Sequence, residues 1–361
     1  MRTRPHFSIL FLTVLLLTAC GSPVTPAPAA EPTLAAAPQT LVVMTHDSFA
    51  VSEAVVQQFE QENNAKVEFL KAGDAGEAVN KACLSKDTPL ADVFYGVDDT
   101  FFSRAIDCGI FQPYRSSSLA NVDTALQLDP AGRLLPADFG FVTVNYDKGW
   151  FEQNGLAVPQ TLEDLTKPEY KGLLVVENPA TSSPGLAFLL TTISVFGEPG
   201  YLDFWRTLRA NDVLVVDGWS EAYYTHFTVG SGGQGDRPLV VSYSTSPAAD
   251  VYFSENAKTE PDSGSMSPPG QTYRQIEFVG ILVGAKQRDL AQSFVDFMLG
   301  TTFQEDIPLQ MFVYPSNNRA KLPDLFKQYA QMPKDPVQMN PNTIEINRER
   351  WIEAWTEVVL R

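Results

Sequence analysis

The sequence is poor in the residues that most often build metal sites and catalytic nucleophiles. It has three cysteines and three histidines in 361 residues. His6 lies near the amino terminus, and His46 and His226 are isolated, so no histidine-based metal site is expected. The G-x-S-x-G and H-E-x-x-H motifs of common hydrolases are also missing. We therefore predict no catalytic residue, no metal and no cofactor.

Positive charge is also scarce. The chain carries 26 Lys and Arg against 43 Asp and Glu, a formal net charge of -17. A field of this sign repels phosphate backbones, which argues against nucleic acid as a partner. Hydrophobic residues at 44% and charged residues at 19% are typical of a globular chain, and its length allows two lobes with a sizeable core.

Long apolar runs are missing except near the amino terminus. There, FSILFLTVLLL follows two arginines and is too short for a permanent membrane span. LTACG at 17–21 resembles a bacterial lipobox, which implies cleavage before Cys20 and lipidation of its thiol. We predict a signal peptide at 1–19, a Pro- and Ala-rich tether at 20–40, and an extracytoplasmic protein anchored by lipid. An ordinary signal peptide with a chance cysteine is the alternative.

Two cysteines, Cys83 and Cys108, remain in the mature chain. Outside the cytoplasm two such residues often pair, but two buried free thiols fit the sequence equally well.

The start of the folded region alternates strands and helices. LVVMT, VEFLKA and ADVFYGVD read as strands separated by helical segments, which predicts an α/β fold with a largely parallel sheet. Ligands of such sheets collect beyond the carboxyl ends of the strands. The polar residues at those ends include His46, Asp47, Asp74 and Asp98.

A second α/β set follows the long strand at 139–148, and IEFVGILVGAK is a late strand that leads into an amphipathic helix. Two sets joined by long strands predict two lobes with a cleft between them. We place lobe I at 41–140 plus 278–313, and lobe II at 141–277 plus 314–361.

Two helix starts share one design. ATSSPG at 180–185 and STSP at 244–247 each follow a strand, offer Ser or Thr at the N-cap and place Pro in the first turn. Free backbone N–H groups, a helix dipole and hydroxyls together suit phosphate, carboxylate or hydroxyl oxygens. Plain helix capping is the alternative interpretation.

Aromatic and acidic residues complete the predicted cleft. Trp219 and Tyr243 come at strand ends of the second set, whereas Asp47, Asp74 and Asp98 belong to the first. Rings on one side and carboxylates on the other suit a cationic heteroaromatic ligand, with a phosphate arm at the helix starts. The alternative interpretation is that the rings pack in the core and that the acids cap helices.

Several stretches carry a family resemblance. They include THDSFA, ADVFYGVDD, DFGFVTVNYDK, ENPATSSPGLAFLL, VVDGWSEAY, LVVSYSTSPA and ERWIEAW. On these the chain resembles the thiamine-binding substrate-binding proteins of bacterial ABC importers. The resemblance implies a two-lobed type II periplasmic-binding fold, related to ferric-ion-binding proteins, which captures thiamine and its phosphates without chemical change. Carried over by position, the ligand contacts are Asp74, Ala75, Ser182, Ser183, Trp219, Tyr243, Ser244, Thr245 and Ser246; His46, Asp47, Asp98 and Tyr223 are further candidates.

The sequence departs from that family at His46 and Ala249, where aromatics are expected, at Ala75, where Gly is expected, and at Ala180, where a basic residue is common. The choice between thiamine and its mono- and diphosphate therefore stays open. We expect a monomer that delivers its ligand to an ABC permease.

Three alternatives remain. Tyr223 and Tyr224 are hard oxygen donors for a ferric ion, although adjacent helical residues point about 100° apart. A thiamine-degrading hydrolase would use Cys83 or Cys108 as its nucleophile. The third is an interaction module with a vestigial cleft.

Overall fold

The computed structural model describes residues 37–254 and 258–361. The predicted signal peptide, Cys20 and most of the tether lie outside the described residues. The last two residues of the predicted tether belong to the first strand, which begins at Gln39.

The described residues form eleven strands and eleven α-helices. The strands are β1 (Gln39–Thr45), β2 (Ala65–Lys71), β3 (Val93–Asp98), β4 (Phe111–Gln112), β5 (Leu135–Asp147), β6 (Leu174–Glu177), β7 (Leu214–Val216), β8 (Leu239–Tyr243), β9 (Ser263–Ser265), β10 (Tyr273–Leu282) and β11 (Tyr314–Pro315). The helices are α1 (Glu53–Asn63), α2 (Ala75–Leu84), α3 (Phe102–Asp107), α4 (Lys148–Asn154), α5 (Ser183–Ala210), α6 (Trp219–Glu221), α7 (Ser246–Phe253), α8 (Arg288–Met298), α9 (Thr301–Gln310), α10 (Asp324–Tyr329) and α11 (Pro341–Val359).

The sheet has a mixed order, β2-β1-β3-β10-β5-β8-β6-β7. The sets β2-β1-β3 and β8-β6-β7 are parallel, as the alternating pattern predicts. The centre is antiparallel, because the long β5 and β10 run against each other and against their neighbours β8 and β3. The prediction of a largely parallel sheet is therefore right for the two ends and wrong for the centre.

Strand β3 shows why the sheet is covered on both faces. All its residues are buried, and successive side chains of a strand point to opposite faces. Phe94 packs into a cluster with Trp205 and Trp355, whereas Tyr95 packs into another with Phe59. Burial on both faces explains the continuous apolar character of this strand.

The sequence pattern also predicts a helix after Pro159 and another over SEAYYTHF, and both regions differ from that expectation. The segment after Pro159 forms only 3₁₀ turns at Glu163–Thr166 and Pro168–Tyr170. SEAYYTHF forms the short α6 followed by a π-helical turn, Ala222–His226. Helix α5 continues past the one stretch predicted as helical there, ATSSPGLAFLLTTISVFG, through YLDFWRTLRA, with non-helical Gly197 and Glu198 at the junction.

Cys83 and Cys108 are joined by a disulfide, with their Cα atoms 5.6 Å apart. The bond links the carboxyl ends of α2 and α3. Across the described part of the chain, none of the helices has the length and apolar character needed to cross a bilayer.

Candidate functional site

A cavity of about 640 Å³ lies where residues from both predicted lobes meet. Its size falls within the roughly 300–1,000 Å³ of small-molecule sites. The first predicted lobe supplies His46, Asp47, Ser48, Asp74, Ala75, Glu77, Met311 and Val313. The second supplies Thr181, Ser183, Pro184, Asp217, Gly218, Trp219, Ser220, Glu221, Tyr243 and Glu277.

Strand ends create most of this lining. His46 follows β1, Asp74 follows β2, and Tyr243 is the last residue of β8. Asp217 and Trp219 come directly after β7. The cavity therefore occupies the position expected for an α/β sheet, at the carboxyl ends of its parallel strands.

Trp219 forms the aromatic wall of the cavity. Its ring stacks on Tyr223 with centroids 5.0 Å apart, and Tyr243 meets it edge-on at 6.3 Å. The indole N–H donates to Ser242 Oγ over 2.8 Å, and the Tyr243 hydroxyl donates to Gln275 over 2.8 Å. These contacts hold both rings in place, which prepares them to stack on a flat ligand or to face a cation.

Asp74 connects the two predicted lobes. One carboxylate oxygen accepts from Ala75 N over 2.6 Å and so caps α2. The other accepts from Ser182 Oγ over 2.9 Å and from Trp219 N over 3.0 Å. Burial raises the pKa of Asp74, although these hydrogen bonds oppose the shift. Asp74 therefore positions the start of α5 and the aromatic wall at once.

A cluster of titratable side chains lies at one end of the cavity. Glu277 is directly opposite Asp138 in the β5–β10 ladder. The Tyr95 hydroxyl donates to Asp138 over 2.6 Å, and its oxygen lies 3.1 Å from Glu277. His46 Nε2 lies 3.4 Å from a Glu277 oxygen. Burial and the neighbouring Glu277 raise the pKa of Asp138 well above its usual value. Burial lowers the pKa of His46, but Glu277 outweighs that effect and the pKa lies above its ordinary value.

Further buried carboxyls stand behind the lining. Burial raises the pKa of Asp98 to about 6 and, together with the adjacent Asp98 charge, the pKa of Asp99 to about 7. Burial also raises the pKa of Glu177 well above its usual value, and neither carboxyl oxygen of Glu177 has a hydrogen-bond partner. Because a raised pKa favours the neutral acid, the negative potential that favours a cationic ligand comes mainly from the acids that line the cavity.

The structure brings together seven of the thirteen sequence-predicted ligand residues. His46, Asp47, Asp74, Ala75, Ser183, Trp219 and Tyr243 line the cavity. The other six do not line it: Asp98, Ser182, Tyr223, Ser244, Thr245 and Ser246.

Hydrogen bonds explain why the predicted hydroxyls lie elsewhere. Ser182 donates to Asp74, and Ser244 donates to Gln331 O over 2.6 Å. Ser246 Oγ lies 3.2 Å from Ser242 Oγ, and Thr245 is buried. Neither helix start uses a side chain of its own to cap the helix. The two Ser/Thr-Pro helix starts are present as predicted, but the hydroxyls of Ser182 and Ser244 donate to other groups of the protein.

Tyr223 and Asp98 support the cavity from behind. Tyr223 stacks on Trp219, and its hydroxyl donates to Asp250 over 3.3 Å. Asp98 accepts from the Thr100 backbone N–H over 2.7 Å. No group of three or more His, Cys, Asp or Glu side chains within 37–254 and 258–361 is arranged to hold a metal ion.

Sequence reasoning missed several lining residues. The strand-end rule that selected Trp219 also applies to Asp217 and was not extended to it. Glu277 lies inside β10, and Met311 and Val313 follow α9, so no strand-end signal marks them. They reach the cavity only because segments far apart in the sequence pack together.

The chain is similar in sequence and in fold to known proteins. A family model described as bacterial extracellular solute-binding protein matches residues 88–334. The thiamine-binding periplasmic protein of Salmonella typhimurium is 30% identical over 329 residues, covering 89% of this chain and 94% of that protein. A solved periplasmic thiamin binding protein has a TM-score of 0.78 at 27% identity, covering 90% of this chain and 97% of the other. The ferric binding protein from Campylobacter jejuni has a TM-score of 0.70 at 19% identity, covering 88% and 99%, which shows the fold alone.

The two-lobed type II periplasmic-binding fold predicted from the sequence is confirmed by these neighbours, and a ferric binding protein shares that fold. The family match spans most of the chain and includes the aromatic wall and the carboxyl ends of β7 and β8, whereas those of β1 and β2 precede it. The chain belongs to the family of bacterial extracellular solute-binding proteins.

Proposed function

We propose that this protein is the thiamine receptor of an ABC importer. The main evidence for this function is that a stacked tryptophan, Trp219, and six carboxylates line one cavity between the predicted lobes. Thiamine combines a flat aminopyrimidine with a positively charged thiazolium, so it matches both features. The thiamine-binding names of a relative and of a solved neighbour support this choice.

Binding would couple to lobe closure. Asp74 in predicted lobe I contacts Ser182 and Trp219 in predicted lobe II, so these contacts form only when the lobes meet. A ligand that touches both sides binds the closed state more tightly than the open one and shifts the population toward it. The closed form then presents the ligand to a membrane permease.

Calorimetric titration of the mature chain with thiamine tests the proposal. We expect one site per chain and saturable binding. Mass spectrometry of the ligand recovered after incubation should return intact thiamine, because a receptor releases its ligand unchanged. Absence of binding would overturn the receptor function, and recovery of a cleaved product would favour the hydrolase alternative.

The alternatives have less support. Tyr223 stacks against Trp219 and donates to Asp250, while Tyr224 is exposed with its ring at 81° to that of Tyr223, so the two phenols do not form a common ferric site. The hydrolase alternative needs a free thiol, but Cys83 and Cys108 are bonded to each other. A ferric titration without a charge-transfer band would add to the case against iron.

The proposal also covers where the protein acts, how it is anchored and whether it is a monomer. We expect the protein to act outside the cytoplasm, anchored by a lipid on Cys20, and to be a monomer. A Cys20→Ser variant should lose lipid labelling and leave the membrane fraction. The sequence also predicted binding of thiamine phosphates; that prediction is untested, and the charge of the cavity weighs against it.

A further inference from the structure

The wall of the cavity carries mainly negative charge. Six carboxylates line it: Asp47, Asp74, Glu77, Asp217, Glu221 and Glu277. No lysine or arginine is among the described lining residues, and His46, the one basic side chain there, already lies beside Glu277. Such a wall attracts a cation and repels a ligand that carries phosphate.

Two lysines near the wall offset only part of this charge. Lys81 pairs with Glu77 over 2.8 Å and also donates to Ala72 O over 2.8 Å. Lys71 donates to the backbone carbonyl of Asp47 over 2.8 Å. Neither side chain lines the cavity, and the six lining carboxylates outnumber Lys71, Lys81 and His46, so the wall remains negative.

Several of the donors that a phosphate would use are already occupied. The start of α2 is capped by Asp74, whose carboxylate also accepts from Ser182 and from Trp219 N. Thr181 Oγ1 donates to Asp217 O over 2.7 Å. The second predicted oxygen-binding helix start, at 244–247, does not line the cavity. At the start of α2, an internal carboxylate therefore takes the place that a phosphate group would need.

We propose that the cavity selects the unphosphorylated thiamine cation and rejects its phosphate esters, an inference that rests on the proposed function. The monophosphate would bring about -1.5 to -2 of further charge, and the diphosphate more, to a wall that carries six carboxylates and has no lysine or arginine among its lining residues. The repulsion acts on the ester arm alone, whereas the ring contacts with Trp219 are common to all three compounds.

Titration of the mature chain with thiamine, thiamine monophosphate and thiamine diphosphate in one buffer tests the selectivity. We expect the diphosphate to bind at least about tenfold more weakly than thiamine, and the difference to shrink as salt screens the charges. Equal or tighter binding of the esters would overturn the selectivity and leave the receptor function standing. Failure of all three to bind would overturn both.

A pair of double variants separates local charge from net charge. Asp217→Asn with Glu221→Gln removes two exposed lining carboxylates, and Asp87→Asn with Glu152→Gln removes two exposed carboxylates outside the cavity. Only the first pair should narrow the ratio of diphosphate to thiamine dissociation constants, by about threefold or more. Thermal unfolding verifies that both variants fold. An unchanged ratio in the first pair, or an equal change in both, would contradict the proposal.

Discussion

At the scale of single residues, Trp219 is the side chain on which ligand recognition depends most. Its indole is fixed by the stack with Tyr223 and by the bond to Ser242, so little side-chain entropy remains to be lost on binding. Its backbone N–H also binds Asp74 in the other predicted lobe. One residue thus contributes to ligand contact and to lobe contact.

Replacing Trp219 with alanine should weaken thiamine binding by about 1–3 kcal/mol, because a stacked or cation–π ring is lost. Calorimetric titration measures the change. Trp219→Phe should retain part of the affinity, since it keeps a ring but loses the indole N–H. Trp150→Ala is the matched control: Trp150 packs on Phe151 outside the cavity, and its loss should leave affinity unchanged. Normal binding by Trp219→Ala would count against the site.

At the scale of elements, the start of α2 packs closely against the loop before α5. A Cβ on Gly76 would lie 2.6 Å from Phe101 Cζ and 2.7 Å from Thr181 O. Such distances force the neighbours to move, and Thr181 O belongs to the backbone of the other predicted lobe. A glycine at this position therefore allows the two elements that carry Asp74 and Ser182 to approach.

Gly76→Ala should reduce thiamine affinity by roughly 1–3 kcal/mol, because overpacking opposes the contact between α2 and the Thr181 segment. Gly149→Ala is its control, since the nearest atom to a Cβ there is Asp147 Oδ1 at 3.5 Å, an ordinary contact. We expect titration to find the loss in the first variant alone. Equal affinities would mean that the elements need not approach so closely.

The disulfide acts at the same scale. It closes a loop over a sequence separation of 25 residues and links α2 to α3. Loop-closure entropy predicts that its removal by Cys83→Ala and Cys108→Ala lowers the free energy of unfolding by about 3 kcal/mol. Urea unfolding with and without reductant measures this loss. A double variant as stable as the parent would contradict the prediction.

At the scale of the whole molecule, buried acids make stability depend on pH. Burial raises the pKa of Asp98 to about 6 and of Asp99 to about 7, whereas an unfolded Asp titrates near ~3.9. The folded state therefore holds these protons more tightly than the unfolded chain. Their contribution to stability is largest at low pH and is lost as pH rises through about 6 to 7. The pKa of His46 is also raised in the folded state, so its contribution to stability is likewise lost as pH rises above the ordinary pKa of histidine.

We expect the free energy of unfolding to be higher at pH 5 than at pH 8, by about 1–3 kcal/mol. Urea titrations at pH 5, 6.5 and 8 test this trend. Asp99→Asn should flatten it, because the amide still accepts from Ile276 N and can donate to the Tyr273 oxygen that now donates to Asp99. Stability that rises between pH 5 and 8 would contradict the assignment.

The sequence by itself determined the alternation of strands and helices and the strand-end positions of Asp74, Trp219 and Tyr243. Periodicity records which side of an element is buried, and strand ends are local features, so both are readable along the chain. The same reasoning recovered the parallel sets at the two ends of the sheet.

Only the tertiary structure decided how the sheet is joined and which groups face the ligand. The antiparallel centre and the place of Glu277 opposite Asp138 arise from pairing between distant segments. Ser182 and Ser244 carry the predicted hydroxyls, but whether each donates to a ligand or to the protein depends on which acceptors lie nearby. Sequence patterns describe the chemistry that each residue carries, whereas hydrogen-bond partners and sheet neighbours depend on residues far away along the chain.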